Sequence, residues 1–284
     1  MAIRLIAMDI DGTLLDNRHE LPDANRDAIL EAYSRGIEIV LVTGRRFDFA
    51  RPIAEHIPCE VALIINNGAL IKSKSGETHL RHLLPCAVAR EVLCATREFR
   101  SGAAVVFDRL KKDQVIFEHI DWADAVSAGY YQRNREFISE CAPLENCLIE
   151  DPIQVMFVGS VARTRAALAA IRNMDCSPQF ALAHTEYAQR DLAILDVISS
   201  GCSKGAALAE WSRRRGITRG EIMAIGDNWN DRDMLEFAGL PIVMGNSVAE
   251  LQSLGWPVTL SNDDCGVAAA IHKYVLDIQE TSRK

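Results

Sequence analysis

Ile3-Arg4-Leu5-Ile6-Ala7-Met8-Asp9-Ile10-Asp11-Gly12-Thr13-Leu14-Leu15 is an apolar run that stops on two carboxylates and a glycine. Its length and near-continuous hydrophobicity fit a strand buried in the core of a parallel sheet. Side chains alternate along an extended chain, so Asp9 and Asp11 are expected to point one way and Ile10 the other. Gly12 and Thr13 then break the strand. Open α/β sheets bind their ligands at the carboxyl ends of strands. Two acids crowded there are costly unless a cation, a shared proton or a substrate compensates them. A plain strand followed by an Asp-Gly turn accounts for Gly12. It leaves Asp9, and the pairing of the acids, without a reason.

Outward from this stretch the chain alternates strand and helix. Residues 23–35 read as a helix closed by Gly36, and 37–43 and 61–65 as apolar strands. Strand, helix, strand in that order calls for right-handed crossovers and a parallel sheet covered on both faces. The same texture returns with helices at 204–215, 231–238 and 266–279 and strands at 222–225 and 241–244. Between them lie a helix at 86–99, strands at 103–107, 115–120 and 153–158, a helix at 163–174, and strands near 179–183 and 192–197. Paired strands packed with helices suggest a separate α+β unit. The expected architecture is α/β: a Rossmann-like parallel-sheet core of residues 1–82 and 191–284 with an inserted α+β domain over 83–190.

The chain has 284 residues, room for one large or two smaller domains, and a net charge of −8. Arg213-Arg214-Arg215 ends a helix, where cations suit the dipole, and no longer basic stretch offers a nucleic-acid footprint. The eight cysteines form no Cys-x-x-Cys pair, which favours reduced thiols over disulfides. The seven histidines show no zinc-binding pattern. No charged-then-apolar leader precedes the first strand, and no apolar run reaches the roughly 18–20 residues of a membrane span. A cytoplasmic monomer or homodimer is expected, with neither a membrane nor a nucleic acid as partner.

Three further segments fall at strand ends or helix starts. Thr43-Gly44-Arg45 follows a strand and offers a hydroxyl and backbone amides. Ser203-Lys204-Gly205 opens a helix, bringing a cation beside amides that favour anions. Gly226-Asp227-Asn228-Trp229-Asn230-Asp231 adds acids after another strand. Each has an ordinary account as a turn, a solvated lysine or a helix cap. Together they gather a nucleophile, a second carboxylate, a hydroxyl, an ammonium and a metal-binding acid at one sheet edge.

These four segments resemble the four motifs of the haloacid dehalogenase superfamily of phosphatases, and the inserted unit resembles its type IIB cap. Asn67-Gly68-Ala69, Met244-Gly245-Asn246 and Asp264-Cys265-Gly266-Val267-Ala268 are similar to the Cof-type branch, which acts on small phosphorylated metabolites such as sugar phosphates. Cys265 departs from the acidic residue usual there. The resemblance implies Asp9 as nucleophile, forming an aspartyl-phosphate, and Asp11 as acid and then base. It implies Thr43 and Lys204 as holders of the phosphoryl group, with Gly44 and Asn230 as substrate contacts and Thr13 as a brace. Mg²⁺ would be held by Asp9, Asp227 and the Asp11 backbone carbonyl, with Asp231 behind them. Charge supports that demand: a carboxylate about 3.3 Å from a phosphate dianion is repelled by roughly 10 kcal/mol at an effective dielectric of ~20. One lysine does not offset this. Arg45 could touch substrate or form a salt bridge, and Trp229 could line an entrance or pack. Phosphoryl transfer to a sugar hydroxyl, as in a phosphomannomutase, and non-catalytic sensing of a phosphometabolite are the alternatives.

Overall fold

β1 (Leu5–Met8) lies at the centre of a seven-stranded sheet, and none of its side chains reaches solvent. The computed structural model describes residues 2–122, 128–187 and 191–277. β1 is flanked by β2 (Glu38–Val42) and β3 (Ala62–Ile65) on one side and by β12 (Ile222–Gly226) and β13 (Leu240–Val243) on the other. All these pairings are parallel. β4 (Leu70–Ser73) and β5 (Thr78–Arg81) then add an antiparallel edge to the sheet expected to be parallel. The physical reason is Asn66-Asn67-Gly68, three consecutive residues at positive φ, which reverse the chain on the spot instead of sending it through a helix.

Register positions the site. Met8 pairs with Leu41 on one side and Ile225 on the other. The residues that follow these strands therefore leave the sheet at one edge. The strand order also changes direction between β1 and β12, the switch point where such sheets open a crevice.

Helices cover this sheet: α1 (Asp23–Ser34), α2 (Phe47–Glu55), α6 (Lys204–Arg214), α7 (Arg232–Phe237), α8 (Ala249–Gln252) and α9 (Gly266–Ile271). Leu5, Ala7, Val40 and Val42 pack with Leu208 and Trp211 of α6 and Met234 and Leu235 of α7. A fully buried side chain of this size contributes about 1.5–3 kcal/mol. α2 escapes a sequence reading because Pro52 interrupts its pattern, removing one backbone donor.

The second unit carries β6 (Ala103–Val106), β7 (Val115–Phe117), β8 (Ile138–Glu140), β9 (Gln154–Gly159), β10 (Phe180–Tyr187) and β11 (Leu192–Ser199), in the order β10-β11-β9-β6-β7-β8. Its helices are α3 (Cys86–Ala95), α4 (Ala128–Arg133) and α5 (Val161–Arg172). Val88, Val92, Ala167 and Ile171 from α3 and α5 pack on Val105, Phe157, Leu195 and Val197 of the sheet. The units divide as 1–81 with 203–284, and 82–202. The expected border at Arg190 lies outside the described residues. The strand that follows it belongs to the second unit, because β11 is paired on both sides, with β9 and with β10. The expected end of the last helix at 279 also lies outside the described residues. No helix among the described residues is long and apolar enough to cross a membrane.

Candidate active site

Asp9 follows β1 directly, and its amide donates to the Ile225 carbonyl at 3.0 Å. The chain then turns tightly at Ile10–Leu14, with Gly12 at φ +79°. Glycine is required there twice over: that conformation disfavours a side chain, and a Cβ would lie 2.5 Å from Asp227 Oδ2. The Thr13 hydroxyl donates to Asp227 Oδ1 at 2.8 Å, so the bond shown ties the turn to the opposite acid.

Lys204 enters from α6. Ser203 caps that helix by accepting the Ala206 amide at 3.1 Å, and Asp233 accepts the Gly205 amide at 2.8 Å. Gly68 lets the Asn66-Asn67-Gly68 reversal press on the same helix start, since a Cβ at Gly68 would meet the Ser203 carbonyl at 2.1 Å. Held this way, the Lys204 side chain is only 1% exposed, with Nζ 2.6 Å from Asp9 Oδ1 and 2.5 Å from Asp231 Oδ1. Asp231 is fully buried, and its other oxygen accepts the amides of Asp227 and Asn228 at 3.0 Å each.

Ligand oxygens of Asp9, Asp227 and Asp231 all lie within 4.8 Å of one another. Burial pushes Asp9 well above the usual carboxylate range; Lys204 opposes this, and Asp231, Asp227 and Asp11 add to it. Burial and then Asp231 push Asp227 up to about 7, against the Thr13 hydrogen bond. Burial disfavours the Lys204 ammonium, but Asp231 and Asp9 hold it above the ordinary lysine value. Four carboxylates (Asp9, Asp11, Asp227, Asp231) against one ammonium and one guanidinium (Lys204, Arg45) leave two negative charges. An all-oxygen set short by two positive charges fits a hard divalent cation. Both Asp231 oxygens accept hydrogen bonds, whereas Asp9 and Asp227 each keep one oxygen without a hydrogen bond among the described residues.

Asp11 stands apart from this trio. β1 ends at Met8, so strict strand alternation does not carry through to residue 11, and the Asp11 carboxylate faces Arg45. Arg45 Nε lies 2.7 Å from Oδ2 and its Nη2 2.5 Å from Oδ1, a two-pronged, charge-assisted pair. Of the two readings open for Arg45, the salt bridge is the one formed, and its partner is a site acid. Thr43 sits at the end of β2, 1% exposed, its hydroxyl oxygen accepting the Arg45 amide at 3.1 Å. Gly44 lies against the Asn67 carboxamide. Asn230 lies in the short turn Trp229–Asp231, and the Lys204 ammonium bonds to Asp9 and Asp231. Trp229 is 47% exposed, with the Arg232 guanidinium 4.8 Å above its ring. The Cys202 thiol is buried and pushed up to about 11, so it is no nucleophile. Sequence reasoning missed Asp233 and Asn66 as supports; the tandem asparagines before Gly68 were the available signal for the latter.

The family model for haloacid dehalogenase-like hydrolases matches residues 6–271. The HMP-PP phosphatase of Cronobacter sakazakii is 31% identical over 252 residues, covering 87% of this chain and 86% of that protein. Two solved structures share the fold. One is a phosphatase of the haloalkanoate (HAD) enzyme superfamily from Bacteroides thetaiotaomicron, with a TM-score of 0.78 at 22% identity over 96% of this chain and 95% of that one. The other is a HAD subclass IIB sugar phosphatase, with a TM-score of 0.77 at 20% identity over 95% of this chain and 98% of that one.

Proposed function

The chain belongs to the haloacid dehalogenase-like hydrolases and is a phosphoric monoester hydrolase of that family; we propose that it hydrolyses small phosphorylated metabolites, sugar phosphates foremost, with Mg²⁺ and through an aspartyl-phosphate on Asp9. One observation carries the reading: a buried ammonium, Lys204, spans Asp9 and Asp231 while Asp227 stands within ligand distance of both. A cluster this acidic and this dry is justified by a site that receives a cation and an anion together.

Lys204 ties down one oxygen of Asp9 and so orients the carboxylate for attack. An Asp9 oxygen bonds to phosphorus as the ester P–O bond breaks, and the departing alkoxide takes a proton from Asp11. Water then attacks the phosphorus, Asp11 accepts its proton, and Asp9 is released with inorganic phosphate. Both Asp11 oxygens are bound to Arg45 in this state, so each proton transfer requires one of them to turn away from the guanidinium. The Thr43 hydroxyl, Lys204 and the amides after Asp9 would hold the phosphoryl oxygens, with Gly44 and the carboxamide of Asn230 as further contacts. Asp9, Asp227 and the Asp11 carbonyl would hold Mg²⁺, which supplies the positive charge that lets a carboxylate approach a phosphate dianion. Asp231 acts behind them, through Lys204 and the Asp227 amide. The second unit would serve as the substrate-selecting cap.

Phosphate release from a panel of several dozen phosphometabolites tests the substrate class: turnover is expected on a subset that includes sugar monophosphates, and no release from any of them would overturn the proposal. EDTA is expected to abolish activity and Mg²⁺ to restore it. Because Asp227 sits near 7 without the ion, Mg²⁺ must displace a proton from it as pH falls. The Mg²⁺ concentration for half-maximal activity should therefore rise several-fold, up to about tenfold per pH unit, between pH 7.5 and pH 6. A half-saturation flat across that range would remove Asp227 from the ligand set.

A further inference from the structure

The Met244-Gly245-Asn246 segment after β13 reaches both loops that carry the site's acids. On one side the Met244 amide donates to the Gly226 carbonyl at 3.0 Å and the Val248 amide to the Asp227 carbonyl at 3.1 Å. On the other, Asn246 Nδ2 donates to the Gly12 carbonyl at 2.8 Å. The Oδ1 of the same carboxamide accepts the Asn262 amide at 2.9 Å. Asn262, 2% exposed, donates in turn to the Leu15 carbonyl at 3.0 Å. The peptide that Asn246 grips belongs to Gly12, the residue whose missing Cβ admits Asp227.

We propose that Asn246 is a positioning residue that sets the spacing between the Asp9–Asp11 turn and Asp227, and through it the affinity of the site for its divalent cation. The inference rests on the phosphatase reading above. The turn after β1 has left the sheet, and glycine gives its backbone little preference of its own. A donor from outside is what fixes that peptide. The donor stands on a segment whose backbone is bonded to the Asp227 loop, so one side chain couples the two halves of the acid set. The Asn246 carboxamide donates to Gly12 through its nitrogen and accepts from Asn262 through its oxygen at once. Asn246 is itself exposed, so this contact is not one that the core depends on.

The test uses full-length Asn246→Ala with three readouts: Mg²⁺ binding by calorimetry without substrate, thermal unfolding, and steady-state hydrolysis of p-nitrophenyl phosphate with saturating Mg²⁺. Mg²⁺ is expected to bind at least ~5-fold more weakly and kcat to fall about tenfold, with KM within about 2-fold and Tm within about 3 °C of wild type. Unchanged Mg²⁺ affinity, or an activity loss that merely follows a large drop in Tm, would overturn the assignment. Weakened Mg²⁺ binding in the variant alongside a wild type that hydrolyses no phosphomonoester would uphold the positioning role and sink the phosphatase reading. Active wild type with an unaltered variant would sink the positioning role alone.

Discussion

Asp9→Asn is expected to remove phosphatase turnover, by about 10⁴-fold or more, while the protein stays folded. The amide oxygen of asparagine keeps an acceptor for Lys204 Nζ, which meets Asp9 at 2.6 Å. Removing one buried charge also relieves the repulsion among Asp9, Asp227 and Asp231. Tm should therefore hold or rise, most clearly without Mg²⁺. What disappears is the anionic oxygen able to bond to phosphorus. Labelled substrate quenched in acid should leave a phosphoenzyme in the wild type, cleaved by hydroxylamine as an acyl phosphate is, and none in the variant. Turnover at the wild-type level would end the nucleophile assignment. A fully folded variant with no activity and a wild type that never becomes labelled would point to direct attack by water.

Lys204→Met has a second large effect, on stability as well as rate. The ammonium is 1% exposed and touches two carboxylates that form no other salt bridge among the described residues. Removing one partner of such a buried set costs about 3–5 kcal/mol when the remaining charges stay ionised. The loss must depend on pH. Asp9 already has a folded-state pKa above its unfolded value, and a carboxyl raised in this way supports the fold fully below its unfolded pKa and loses that support as pH rises through its folded one. Without Lys204 the raising is greater, so the variant should be close to wild type near pH 5 and lose roughly 10 °C in Tm near pH 8. Added Mg²⁺ should recover part of that loss. Turnover should fall about 10³-fold or more at any pH, since the phosphoryl group loses its ammonium. An equal drop in Tm at both pH values would show that Lys204 matters as packed methylenes rather than as a counter-charge.

Much of the core is legible from local pattern. The apolar run of β1, its abrupt end at two acids, and the recurrence of strand ends at Thr43 and Asp227 follow from periodicities of one or two residues. A buried parallel strand must also have neighbours that run the same way. The antiparallel edge was less accessible, because it turns on three residues adopting positive φ in succession, a property weakly written in Asn-Asn-Gly. The inserted unit was legible as a different texture. Its expected far border at 190 falls just before a strand at 192–197 that the same reading groups with the inserted elements; β11 pairs with β9 and β10 in the second sheet.

Within the site the division falls between residue types and their partners. Sequence by itself determined which chemical groups arrive at the edge of the sheet: the paired acids, the hydroxyl, the lysine at a helix start and the later acids, each fixed by its place at the end of a local element. Tertiary structure alone decided how they are joined. Asp11 is bound to Arg45, Thr13 to Asp227, Lys204 to Asp9 and Asp231, and Asn246 to Gly12, pairs separated in the chain by 34, 214, up to 195, and 234 positions. Strand and helix periodicity governs the direction in which a backbone presents its side chains over a few residues. The choice among several possible hydrogen-bond partners is made only when close packing brings distant segments within three ångströms and excludes the water that would otherwise have served each of them.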